Sequence, residues 1–219
     1  MLALMEKLFR KQVKASIILP TYNRKNFLKR AINSVLMQEY MHWELIIVDD
    51  GSTDGTYQYL WQNYNQFTNI KILQIQNSGP AIAMNIGAKE ATGEILFFLG
   101  SDDAIVNNHL SFRMKMHIQN PNTDIFHGGI KVIGDHWVVD KYNPGQKVNI
   151  YQCFAGGTFS VKKRVFHTLN GFKNLKFASD TDFIERAIKQ FQVTKIDLPT
   201  TYIYYRDHDN TITKNILSD

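Results

Sequence analysis

Asp102 and Asp103 stand side by side, separated only by Gly100-Ser101 from the apolar run Ile95-Leu96-Phe97-Phe98-Leu99. Asp49 and Asp50 close the earlier run Leu45-Ile46-Ile47-Val48. Adjacent carboxylates are hard oxygen donors, suited to a divalent cation that carries a phosphorylated ligand. An aspartate pair taken at random is more often a solvated turn, so position must decide. Both pairs, and the segment Pro20-Thr21-Tyr22, follow predicted strands at the edge where open α/β sheets bind ligands. Parallel strands would bring all three loops together, which favours one site over three unrelated turns.

The elements that must position these loops follow from periodicity. Ala15–Pro20, Glu44–Val48, Ile70–Ile75 and Glu94–Leu99 read as strands. Between them, Phe27, Leu28, Ala31, Ile32, Val35 and Leu36 recur at helical spacing. Thr53 is the expected N-cap of a second helix, and Pro80–Ala91 a third, stopped by Gly93. Strands alternating with helices imply a parallel sheet. After Asp103 the rhythm changes to a helix near Asn108–Gln119, strand-like material over 124–139, a strand at Thr158–Val161, and helices over Lys162–Leu169 and Asp180–Gln190. Two short strands are expected in Val193–Tyr205.

Composition removes several function classes. The formal charge is +5, but Lys7, Arg10, Lys11 and Lys14 against Glu6 leave +3 in residues 1–14 and only +2 elsewhere. That is a basic arm on a near-neutral body, so no nucleic-acid partner is expected. Met1, Leu2, Met5, Leu8 and Phe9 give the arm an apolar stripe, a candidate for peripheral contact with an anionic membrane surface. No apolar stretch reaches the ~18 residues of a membrane span, and no signal peptide is read. Cys153 is the single cysteine, which excludes a disulfide within the chain and a cysteine zinc site. Neither G-x-G-x-x-G nor a P-loop occurs, so a diphosphate would depend on a metal ion instead.

One ordered series carries a resemblance. It runs Ile17-Ile18-Leu19-Pro20-Thr21-Tyr22-Asn23-Arg24, then Glu44–Asp54 with Asp49-Asp50-Gly51-Ser52, then Asn77-Ser78-Gly79 with Asn85-Ile86-Gly87, then Gly93-Glu94-Ile95 into Ser101-Asp102-Asp103. This series resembles glycosyltransferase family 2 over about residues 15–210. The resemblance implies a GT-A fold: a Rossmann-like nucleotide-binding half with a mostly parallel sheet, joined to a mixed acceptor-side half. The expected organisation is an arm at 1–14 and one domain at 15–219, with halves 15–104 and 105–219. The implied reaction is inverting transfer of a sugar from a nucleotide-diphosphate donor, a UDP-sugar for preference, to a hydroxyl of a glycan or lipid-linked acceptor.

The resemblance also assigns roles. Pro20, Thr21, Tyr22 and Asp50 match the nucleotide base pocket, with Asp49 near the ribose or shaping the loop. Asn77, Gly79 and Asn85 join the nucleotide-sugar set. Asp102 matches the ribose side and Asp103 the direct ligand of Mn²⁺ or Mg²⁺, with His208, in Tyr205-Arg206-Asp207-His208, reaching the metal or diphosphate. Gly156 and Gly157 match the stretch under the donor sugar, with a tight bend as the alternative. Asp180, in Ser179-Asp180-Thr181-Asp182, falls on the catalytic base, although Ser179 stands where an acid is usual. Ser179 is also a candidate N-cap, with Asp180 and Asp182 as first-turn acids. The expected setting is cytoplasmic, peripheral to the inner membrane face. The rivals are a catalytically inactive sugar-nucleotide binder and a sugar nucleotidyltransferase, the latter lacking its expected glycine-rich loop.

Overall fold

The computed structural model describes residues 13–207. His208 and most of the basic arm lie outside the described residues. In chain order the elements are β1 (Ala15–Thr21), α1 (Lys25–Leu36), β2 (Trp43–Asp49), α2 (Thr56–Tyr64), β3 (Ile70–Gln74), α3 (Pro80–Glu90) and β4 (Ile95–Phe98). Then come β5 (Ala104–Ile105), α4 (His109–Gln119), β6 (Ile125–His127), β7 (Ile130–Gly134), β8 (Trp137–Val139) and β9 (Lys147–Asn149). Last are β10 (Ser160–Lys162), α5 (Lys163–Thr168), α6 (Ser179–Ile188), β11 (Val193–Lys195) and β12 (Tyr202–Arg206).

Seven strands form one sheet in the order β11-β6-β10-β4-β1-β2-β3. β1, β2, β3 and β4 pair in parallel, and β10 alone runs antiparallel, between β4 and β6. β11 is parallel to β6, so six strands present their C-terminal ends at one edge. The chain moves outward from β1 to β3, then crosses back through α3 to place β4 on the other side of β1. That reversal is a topological switch point, where a crevice opens beyond the strand ends.

Strand side chains alternate between faces, so each strand feeds two cores. Ile17, Leu19, Leu45, Ile47 and Phe97 pack with Leu28, Ile32 and Val35 of α1, Leu60 of α2 and Leu110 of α4. Ile18, Ile46, Val48, Leu96 and Phe98 pack with Ala83 and Ala88 of α3, Phe166 of α5 and Phe183 of α6. The result is a three-layer sandwich. Gly87 is what lets α3 lie this close to β1, because a Cβ there would meet Ile18 at 2.6 Å.

Two helix starts differ from expectation. Thr53 does not cap α2; the helix begins at Thr56 after Gly55 at φ 83°, and Asp54 Oδ1 accepts from the Thr56 N–H at 3.0 Å. Ser179 does not cap α6 either. It is the first helical residue, and Ala178 occupies the cap position in a left-handed conformation with no side-chain bond. A three-strand sheet, β5-β12-β7, and a β8–β9 hairpin complete the second half.

Candidate functional site

The loops after β1, β2 and β3 are stitched together by the first aspartate pair. Asp49 Oδ1 accepts from Ser52, through both its N–H and its hydroxyl, and Oδ2 accepts from Gln74 Nε2 at 3.2 Å. Asp50 accepts from the Ser78 and Gly79 N–H groups, each at 2.8 Å, one on each oxygen. The Asp50 N–H in turn donates to the Thr21 carbonyl at 2.8 Å. Asn23 bonds across to Ser52 and Thr53. Both carboxylates are buried, and they act first as braces for the loops that carry Thr21, Tyr22, Asn77 and Gly79. Tyr22 and Asn77 project to the surface at this rim, Tyr22 being 47% exposed.

Of the second pair, Asp103 faces a cavity of about 340 Å³ at the switch point. Pro20, Asp103, Gly156, Gly157 and Asp180 all line it. Asp103 is buried, and its Oδ2 accepts from the Tyr202 hydroxyl while Oδ1 accepts from the Tyr205 N–H at 3.0 Å. Burial and the neighbouring Asp102 carboxylate push its pKa up to about 8, against the opposing pull of Tyr202, Tyr205 and Arg30. Arg30 donates to the Asp102 carbonyl and lies 3.5 Å over the Tyr205 ring, which fixes the aspartate loop to α1 and β12. A buried carboxyl beside a second carboxylate is short of positive charge, a setting that a divalent cation would relieve. Among the described residues no three acidic, histidine or cysteine side chains cluster as a ready cage. A cation held at Asp103 would need ligands beyond these side chains, of the kind that water and phosphate oxygens supply.

Asp180 sits in the first turn of α6 and lines the same cavity. Its Oδ2 accepts from the Gly156 N–H at 2.9 Å and its Oδ1 from the Thr181 N–H at 2.8 Å. Burial raises its pKa, opposed by those backbone donors, its own N–H and the nearby Lys141 ammonium. Lys141 also pairs with Glu185 at 2.5 Å. The two glycines have separate duties. Gly156 supplies the N–H to Asp180, whereas a Cβ on Gly157 would meet the Tyr202 ring at 2.2 Å. One continuous path thus joins Asp180, Gly156, Gly157, Tyr202 and Asp103 across the cavity.

Asn85 is placed otherwise. Its amide donates to the Phe172 carbonyl at 2.8 Å and accepts from the Phe172 N–H at 2.9 Å, clamping α3 to the segment before α6. Asn85, Asp49, Asp50, Asn77, Gly79 and Asp102 are not among the residues that line the cavity. Sequence reasoning missed Tyr202, Tyr205, Arg30 and Lys141. The only signal was the tyrosine-rich strand Tyr202-Ile203-Tyr204-Tyr205 before the Arg206 segment. Arg206 is buried, with Nη2 3.8 Å from Asp135 and its guanidinium over Tyr204.

Comparison with known proteins follows the same lines. The family model described as glycosyl transferase family 2 matches residues 16–188. The minor teichoic acid biosynthesis protein GgaA of Bacillus subtilis is 33% identical over 191 residues, covering 79% of this chain and 43% of that protein. The Escherichia coli UDP-Glc:alpha-D-GlcNAc-diphosphoundecaprenol beta-1,3-glucosyltransferase WfgD is 34% identical over 137 residues, 61% of this chain and 52% of its own length. The chain thus spans about half the length of these curated relatives. Among solved structures, S. aureus TarS 1–349 in complex with UDP superposes with a TM-score of 0.73 at 25% identity, covering 88% of this chain and 60% of that one. A mannosyltransferase from Pyrobaculum calidifontis, in complex with GDP-Man and Mn²⁺, shares the fold at a TM-score of 0.67 and 17% identity, over 92% of this chain and 63% of that one. The architecture is the GT-A fold, and the chain belongs to glycosyl transferase family 2.

Proposed function

We propose that this chain is an inverting glycosyltransferase that moves a sugar from a UDP-sugar to a hydroxyl of a glycan or lipid-linked acceptor. The observation that carries the reading is that Asp103 and Asp180 line one cavity and are linked through Gly156, Gly157 and Tyr202. Relatives whose names specify UDP-glucose or a UDP complex support the donor class.

The chemistry divides between the walls. The loops braced by Asp49 and Asp50 receive the nucleotide, with Thr21, Tyr22, Asn77 and Gly79 at the rim. Asp102 and Asp103 face the donor, and His208 follows β12 beyond the described residues. When bound at Asp103, Mn²⁺ or Mg²⁺ supplies the charge that a departing diphosphate needs. Asp180, from the other side, takes the proton of the acceptor hydroxyl as its oxygen bonds to the anomeric carbon. The bond from that carbon to the diphosphate breaks on the opposite face, which inverts the configuration. Asp180 retains unused lone pairs for this proton, because each oxygen accepts one backbone bond. Burial keeps the carboxylate basic, against the opposing pull of Lys141.

Among the described residues no helix is long and apolar enough to cross a membrane. We assign the reaction to the cytoplasmic side, with residues 1–14 as the contact to the inner face. The test is thermal shift with UDP, GDP, CDP and dTDP, each with and without Mn²⁺, followed by UDP release from UDP-sugars. A ligand at 100 times its Kd adds about 2.7 kcal/mol of apparent stability. Metal-dependent stabilisation by UDP together with sugar-dependent turnover is the expected result. Binding without turnover would identify a silent sugar-nucleotide binder, and no nucleotide response would reject the assignment.

A further inference from the structure

A second cavity, also of about 340 Å³, opens beside the first. It lies at the C-terminal ends of β6 and β11, which point to the same sheet edge as β1 and β4. Ile150, Cys153 and Ala155 line both cavities, so a single stretch of chain is the wall between them. That stretch leads directly to Gly156, the residue that holds Asp180. Along one edge of the sheet the order is therefore the nucleotide loops, the reaction cavity, and this second space.

Its chemistry differs from the first. The lining includes His127, Tyr151, Thr158, Lys195, Asp197 and Thr200. Lys195 and Asp197, paired at 2.9 Å, are the two formally charged side chains of its lining and are of opposite sign, which favours a neutral ligand over a phosphate. Burial and the Arg113 and Lys195 charges bring the His127 pKa down to about 4, which leaves a neutral ring with one donor and one acceptor. Tyr151 adds a half-exposed aromatic face, its ring meeting His136 edge-on with centroids 5.5 Å apart. Thr158 is spent on the backbone, donating to the Ala155 carbonyl and accepting from the Gly128 N–H. The Tyr151 and Thr200 hydroxyls, a neutral imidazole, a paired charge and an aromatic face suit a neutral ligand rich in hydroxyl groups. The volume falls within the roughly 300–1,000 Å³ common for small-molecule sites.

We propose that this second cavity is a saccharide site, holding the next unit of an acceptor whose terminal unit reacts beside Asp180. It rests on the transferase reading above, and it makes the acceptor a chain of at least two linked sugars. Selectivity for acceptor length then resides in Tyr151 and Thr200, away from both carboxylates.

Cys153 gives a direct readout, because it is the only cysteine and lines both spaces. The rate of its alkylation by iodoacetamide is measured with three matched pairs: glucose and cellobiose, N-acetylglucosamine and chitobiose, galactose and lactose. No donor is present, so the result is independent of catalysis. UDP affinity, measured alongside in each variant, reports on the donor side and on folding. At least one disaccharide should slow alkylation at concentrations where its monosaccharide does not. Tyr151→Ala, which removes the ring, and Thr200→Trp, which fills the space, should each raise the protecting concentration about tenfold, the scale of one lost favourable contact. The proposal is overturned if no disaccharide protects better than its monosaccharide, or if protection survives both substitutions. Loss of UDP binding in the wild-type chain would instead strike the transferase reading.

Discussion

Replacing Asp180 with asparagine separates the chemical role of this side chain from its structural one. Both carboxylate oxygens accept backbone bonds, from Gly156 and Thr181. Asparagine offers one oxygen, so it keeps one of these bonds and turns an N–H toward the other donor. A lost buried bond costs about 1–3 kcal/mol, offset in part because a buried charge is removed. At about 2–4 °C per kcal/mol for a domain of this size, melting should fall by a few degrees only. Loss of a general base costs about 10²–10⁴-fold in rate, or roughly 3–5 kcal/mol of barrier, so catalysis suffers more than the fold. In the proposed role of base Asp180 would work deprotonated, and its pKa is raised by burial. Wild-type turnover should therefore decline as pH falls through a value above the ordinary carboxylate range, and the variant should lack that limb. The assay is UDP release at saturating donor and acceptor, paired with calorimetric titration of UDP on the same preparation. Turnover within a few-fold of wild type would remove Asp180 as the base. A matching loss of UDP affinity would move it to the donor wall.

Three further outcomes test the supporting structure. Tyr202→Phe deletes the hydroxyl that donates to Asp103 and accepts from Gly100; Mn²⁺-dependent UDP affinity should weaken about tenfold, and unchanged titration would show that Asp103 needs no such support. Asn85→Ala breaks both bonds to the Phe172 backbone and should cost about 1–3 kcal/mol in urea unfolding, whereas a larger loss in donor affinity than in stability would support Asn85 as part of the nucleotide-sugar set. Burial acts to raise the Glu44 pKa, but bonds from Ser16, Lys14 and Thr92 outweigh it and hold the group at about 2. Its stabilisation is complete above about pH 4.5 and is lost as pH falls toward 2, about 1–2 kcal/mol after allowance for solvent screening. Acid unfolding of Glu44→Gln should lack that dependence, and identical curves would refute it.

The first half was legible because its signals are local. The continuous apolar runs Leu45–Val48 and Ile95–Leu99 give strands buried on both faces, and the helical repeat from Phe27 to Leu36 gives α1. The observed strands differ from the expected ones by a residue or so at each end. Helix starts were less legible, because geometry rather than side-chain chemistry sets them. Gly55 and Ala178 both adopt left-handed conformations, which let the chain enter α2 and α6 without a Ser or Thr cap. The two-residue strand β5 owes its existence to a partner distant in sequence, through the pairing of Ile105 with Tyr202. No window of sequence contains both members of such a pair.

The same limit governs the site. Asp49-Asp50 and Asp102-Asp103 look alike on paper, each an acidic pair after an apolar strand, yet their surroundings divide their work. Backbone N–H groups and the Gln74 amide meet the first pair, so its charge is spent on holding loops. Asp103 meets instead one phenol and one N–H, with a second carboxylate adjacent, and keeps an unmet demand for positive charge. What decides between brace and reactive group is the set of donors folded against each pair, and those come from β3, β12 and α1. Tyr202 is the telling case: an unremarkable strand residue in sequence, it supports Asp103 with its hydroxyl and, through the close approach of Gly157, fixes the loop that holds Asp180. A residue that joins both walls of a cavity can be recognised only once both walls exist.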